Sequence, residues 1–176
     1  MKHIKTLAPT LTDALIAVEQ GCRNIQNDPH FIPDMLEWMT ISEEYCMGCL
    51  ATTTLMQLTG KSATDIVTCF DPESFPDDKA LAERAAAFGL HLPVYNYGES
   101  EVARFEKAIN DLRQGDLRTL LQFYGLDSHI NANQAIEWLD QYDTPTHGFG
   151  TTKDDLLTYA DFIKEVLIPK VTTWFF

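Results

Sequence analysis

The chain has 176 residues, 45% hydrophobic and 22% charged, which is enough to bury a core without staples and too apolar for disorder. Its formal net charge of −13 disfavours direct contact with nucleic-acid phosphates or an anionic membrane surface, both of which call for clustered Lys and Arg. The same charge suits a basic protein partner, or serves only to keep the molecule dissolved.

The stretch MKHIKTLAPTLTDALIAVEQG begins with positive charge, but Asp13 and Glu19 interrupt its apolar run. No secretion signal is therefore read, and a cytoplasmic location with the four cysteines reduced is expected. No window approaches the roughly 20 apolar residues of a membrane span.

In chain order, Thr10-Leu-Thr-Asp13 opens a helix that runs to Gly21 or slightly beyond. Pro33 fits the first turn of a short helical segment through Met39. Thr40-Ile-Ser-Glu43 has capping-box spacing and predicts a helix carrying Tyr45 to Leu58, with Gly60 as its terminator. Ser62-Ala-Thr-Asp65 signals another start before Ile66 to Phe70, which Asp71-Pro72 stops. Pro76-Asp-Asp begins a helix through Phe88, capped by Gly89.

The segment His91 to Tyr97 is the only one that reads as extended. Ser100 precedes a helix whose Val102, Phe105, Ile109 and Leu112 share one face, with Glu101, Arg104, Lys107 and Asp111 outside that stripe. Gly115 and Gly125 bracket Leu117 to Tyr124, and Asn133 to Tyr142 forms a further short helix. Thr152-Lys-Asp-Asp155 caps the last long helix, where Leu156, Ala160, Ile163 and Leu167 recur at helical spacing and Pro169 marks the end. The expected fold is all-α: one compact domain over residues 1–176, with seven or eight short helices packed orthogonally and at most one extended segment near 91–97.

Two fragments suggest chemistry. A phosphate loop needs a glycine five residues before the one in Gly60-Lys61-Ser62, and Leu55 stands there, inside an apolar helical run. Cys46-Met-Gly-Cys49 is the stronger candidate. In a helix begun at Thr40 both thiols lie in the first turns on one face, where the dipole favours thiolate. Against that, nothing strand-like precedes Thr40, Glu43 and Glu44 oppose a thiolate, and Gly48, Ala51, Thr52, Thr53 and Thr54 are small as at a close helix crossing.

A zinc site needs about four ligands, and no second CxxC or HxxxH accompanies the pair, so no metal and no cofactor are expected. His147, on the loop Thr-Pro-Thr-His-Gly-Phe-Gly, is the histidine best placed for function. The glycines after it could cradle an anion, but Asp154 and Asp155 already occupy the first turn of the following helix. The acidic pairs Glu43-Glu44, Asp77-Asp78 and Asp154-Asp155 are adjacent, so their side chains diverge by about 100° on a helix. No GxSxG element occurs.

The aromatic run Trp174-Phe175-Phe176 is expected to dock, on its own domain or on a second subunit, and is the candidate association surface. The expectation is an acidic helical binding or regulatory protein, of inhibitor or immunity type, without catalysis and either monomeric or homodimeric. The alternative is a thiol-redox or metal-dependent enzyme using Cys46 and Cys49.

Overall fold

The computed structural model describes residues 4–34, 39–41, 45–62, 101–113, 115–126 and 152–175, and most of them are helical. After a single turn, α1 (Ile4–Leu7), comes α2 (Leu11–Asn24), which a 3-10 turn extends over Ile25–Asn27. Thr10 closes the expected capping box: its hydroxyl accepts from the Asp13 N–H at 3.1 Å, and the Asp13 carboxylate accepts from the Thr10 N–H at 3.0 Å. The buried positions Leu11, Ala14, Leu15, Val18 and Cys22 then repeat at helical spacing along α2.

The next stretch departs from the expected all-helical plan. Three short strands, β1 (Phe31–Pro33), β2 (Met39–Ile41) and β3 (Cys46–Gly48), form a sheet in the order β1-β3-β2. The central β3 pairs parallel with β1 and antiparallel with β2. Thr40 is thus a strand residue opposite Met47, not a helix cap. Pro33 ends an edge strand, where its missing N–H costs no ladder bond, rather than starting a helix. The expected extended segment at 91–97 lies outside the described residues.

Helix α3 (Leu50–Thr59) follows β3 directly and stops where expected, with Gly60 in the left-handed region at φ 65°. The expected rod from Tyr45 to Leu58 is therefore a short strand, Cys46–Gly48, followed by helix from Leu50. The sheet prevails locally because β3 finds hydrogen-bond partners on both sides, which a first helical turn lacks.

Helices α4 (Glu101–Arg113) and α5 (Arg118–Phe123) pack together, and α5 sits between Gly115 and Gly125 as expected. Helix α6 (Lys153–Phe162) opens on the expected Thr152 cap, its hydroxyl accepting from the Asp155 N–H at 3.1 Å. It runs on through a π-helical stretch, Ile163–Leu167, into α7 (Ile168–Phe175). Pro169 does not end the rod. The wide turn just before it shifts the carbonyls its ring would strike in regular α-helix, and the Ile168 N–H reaches back five residues to the Ile163 carbonyl.

The described residues thus hold six continuous helical rods, while the helices expected over 76–88 and 133–142 lie outside them. Helix α2 packs on both α3 and α6, and α3 also meets α4. The described residues share one buried cluster, with Leu15, Leu50, Leu55, Phe105, Ile109 and Tyr159 among its largest members. Burial of each such side chain contributes about 1.5–3 kcal/mol. Where α2 crosses α3, a Cβ on Gly21 would lie 2.6 Å from the Thr53 carbonyl oxygen, so only glycine admits this approach. Among the described residues, no helix is long and apolar enough to cross a membrane.

Candidate functional site

The junction of β3, the start of α3 and one flank of α4 gathers the reactive side chains. Cys46 opens β3, and Cys49 takes the cap position of α3 with extended backbone (φ −86°, ψ −178°) and no capping hydrogen bond from its side chain. The two thiols therefore do not occupy successive turns of one helix face. Cys22, Cys46 and Cys49 are all free thiols.

Cys49 is only 1% exposed, and its sulfur lies 3.8 Å from the Thr52 hydroxyl. The neighbouring threonines turn inward on their own helix: Thr53 and Thr54 both donate to the Leu50 carbonyl, at 2.9 and 2.8 Å. This satisfies their hydroxyls inside the core, where an unpaired one would be costly.

Burial sets the state of these thiols. It pushes Cys22 up to about 12, with the Glu19 charge adding to the effect, and Cys46 up to about 11, with Asp28 adding. Cys49 is raised for the same reason, and the nearby Glu106 carboxylate raises it further. All three keep their protons at neutral pH, so none is an activated nucleophile.

The flank of α4 facing this junction carries Glu106, Asn110 and Arg113, spaced i, i+4, i+7 so that they form one row beside the apolar stripe. Desolvation raises the Glu106 carboxyl to about 7. Burial lowers the Arg113 guanidinium. Tyr159 is fully buried and donates to the Leu112 carbonyl at 3.2 Å. The Asn110 Oδ1 atom is buried with no hydrogen-bond partner among the described residues. Chemically, this row offers a carboxyl that exchanges its proton near neutrality, with the protonated Cys49 thiol in electrostatic reach.

No family model, curated protein or solved structure matches the chain.

The other sequence-based candidates are dispersed. Gly60-Lys61-Ser62 is the exit of α3: the Gly60 N–H donates to the Met56 carbonyl at 3.0 Å, and the Lys61 N–H to the Thr59 hydroxyl at 3.2 Å. Those amides close a helix instead of cradling a phosphate. His147 and Phe176 lie outside the described residues, and Trp174 and Phe175 sit on the last turn of α7. Among the described residues, no three His, Cys, Asp or Glu side chains come together as a metal-holding group.

Sequence reasoning passed over Glu106, Asn110 and Arg113. Their signal was present as a polar row flanking Phe105, Ile109 and Leu112. What it lacked was the identity of the element that covers that flank.

Proposed function

We propose that the chain works by binding a basic protein partner, as an inhibitor, immunity-like or regulatory factor without catalysis of its own, in the cytoplasm. The observation that carries this reading is where the charge lies. Along the sequence, residues 35–44 hold three Glu and no Lys or Arg, residues 63–100 hold seven Asp and Glu against two Lys and Arg, and residues 127–151 hold four against none.

Acids of the helical scaffold have structural tasks. Asp13 and Asp155 serve helix starts, Asp116 pairs with Arg118 at 2.8 Å, and Arg23 joins Glu19 of its own helix to Asp161 of α6. A surplus of acids in those three stretches of the sequence is of the kind that steers association with a positive surface. Free thiols at Cys22, Cys46 and Cys49 accord with a reducing compartment. The aromatic run Trp174 to Phe176 is proposed as an accessory association surface.

The test is affinity capture from native extract at low and high salt. It compares the full chain with a variant carrying Asp71, Asp77, Asp78, Asp140 and Asp143 as Asn. The expected result is a protein partner held at low salt, released at high salt and lost by the variant. Absence of any salt-sensitive partner, or equal capture by both proteins, would overturn the reading.

The second reading, a thiol or metal enzyme at Cys46 and Cys49, has one observation in its favour: Glu106 within electrostatic reach of Cys49. Protonated, largely buried sulfurs weigh against it. Metal content and thiolate absorbance of the freshly purified protein distinguish the two, since a bound ion or an ultraviolet thiolate band at neutral pH would favour the enzyme.

A further inference from the structure

The flank of α4 opposite Glu106 has a different character. Arg104 and Lys107, three residues apart, point along the same side of the helix toward α5. Together with Thr119, Gln122 and Phe123 of α5 they line a cleft of about 360 Å³, a size that small-molecule sites commonly have.

The polar groups in the cleft are arranged and still have capacity. Asp111 accepts from Lys107 Nζ and from the Thr119 hydroxyl, each at 2.6 Å, which fixes both side chains on one carboxylate. Lys107 retains further N–H donors after that bond. Arg104 is exposed and has no ion-pair or hydrogen-bond partner among the described residues. Its planar fork is the side chain best shaped to meet a carboxylate or phosphate two oxygens at a time.

The floor is apolar and rigid. Phe123 is 7% exposed, held by Phe105 at 5.4 Å and Tyr124 at 5.1 Å between ring centroids. Lys5 stands over the same ring at 5.0 Å. A rim of Arg104 and the Asp111-paired Lys107 above an aromatic floor is a combination that can hold an anion carrying an apolar body.

The larger hollow between the ends of α2 and α3, about 460 Å³, lacks this quality. Its amides are spent on each other: Asn24 donates to Gln57, which donates to Gln20 at 2.9 Å. Its lining carries one cation, Lys61, and one carboxylate, Asp28.

We propose that the cleft between α4 and α5 binds a small organic anion, a carboxylate or phosphate monoester on an apolar body, with its head on Arg104 and Lys107 and its body against Phe123. The described residues that line the site lie outside the acidic segments invoked for protein binding, so the two readings are tested by different variants.

The test titrates four probes into the full chain, followed by NMR at the Phe123 ring and the Arg104 side-chain N–H. Phenyl phosphate and benzoate carry both features, inorganic phosphate only the head, and benzyl alcohol only the body. Saturable binding of phenyl phosphate, benzoate or both is expected, with a dissociation constant of about 1 mM for fragments of this size. Whichever aromatic anion binds more tightly identifies the head group. Inorganic phosphate and benzyl alcohol are expected to bind at least about tenfold more weakly, and Arg104→Gln to weaken the aromatic anions about tenfold or more. Lys164→Gln, on the distant π-helical stretch, is expected to bind like the wild type. Should Arg104→Gln disturb the fold, Lys107→Gln gives the same comparison. Benzyl alcohol binding as well as the anions, unchanged affinity in the rim variants, or saturation by none of the probes would overturn the proposal.

Discussion

Half-buried on α4, the Glu106 carboxyl keeps its proton to about 7, because leaving water costs its anion more than its acid form. In the unfolded chain the proton leaves near the ordinary value of 4.5. Between these two values the folded state binds more protons than the unfolded one, so stability falls as pH rises. Glu106→Gln removes that dependence. Its urea midpoint should match the wild type well below 4.5, exceed it increasingly up to about 7 and hold a constant advantage above. A variant that is less stable than the wild type at alkaline pH would show that the carboxylate is held by a partner. The thiols follow the same physics. With Cys46 at about 11 against an ordinary 9.0, thiolate is about a hundredfold scarcer at neutral pH, so iodoacetamide should label it correspondingly slowly in the native protein. Labelling at the rate of a free thiol would refute that assignment.

Among the elements, α2 shows most clearly how a sequence signal becomes a packing constraint. The Thr10 capping box, the apolar repeat and the small residues of α3 are all legible in the order of the amino acids. Their meeting point at Gly21 is not, since it depends on which turn of α2 crosses α3. Gly21→Ala gains about 1 kcal/mol in helix propensity but places a methyl 2.6 Å from the Thr53 carbonyl oxygen. Backbone there cannot swing aside as a side chain can, so a net loss of about 2 kcal/mol is expected by urea denaturation. A stabilised variant would mean that the two helices separate freely. The misread elements have an equally specific cause. Thr40-Ile-Ser-Glu43 carries a valid cap pattern, yet the backbone around Cys46 found partners on two neighbouring strands, and long-range pairing outweighed the local signal. Pro169 carries a valid stop signal, which a π-helical turn immediately before it made ineffective.

For the whole molecule, charge is the dominant global quantity. At −13 the compact state repels itself, and added salt screens that repulsion. Raising sodium chloride from about 0.01 to 0.15 M, which shortens the screening length from about 30 to 8 Å, should raise the urea midpoint. A fall would indicate that the paired scaffold charges outweigh the surplus. Composition, charge, the starts of α2, α4 and α6 and the turns at Gly60, Gly115 and Gly125 were determined by the sequence alone, because capping and amphipathic periodicity are encoded within a few residues of where they act. Only the tertiary structure decided the small sheet, the strand-to-cap placement of Cys46 and Cys49, and the two polar flanks of α4. Each of these depends on a partner distant in the chain, whose approach supplies hydrogen bonds or removes water, and no local pattern records which partner arrives.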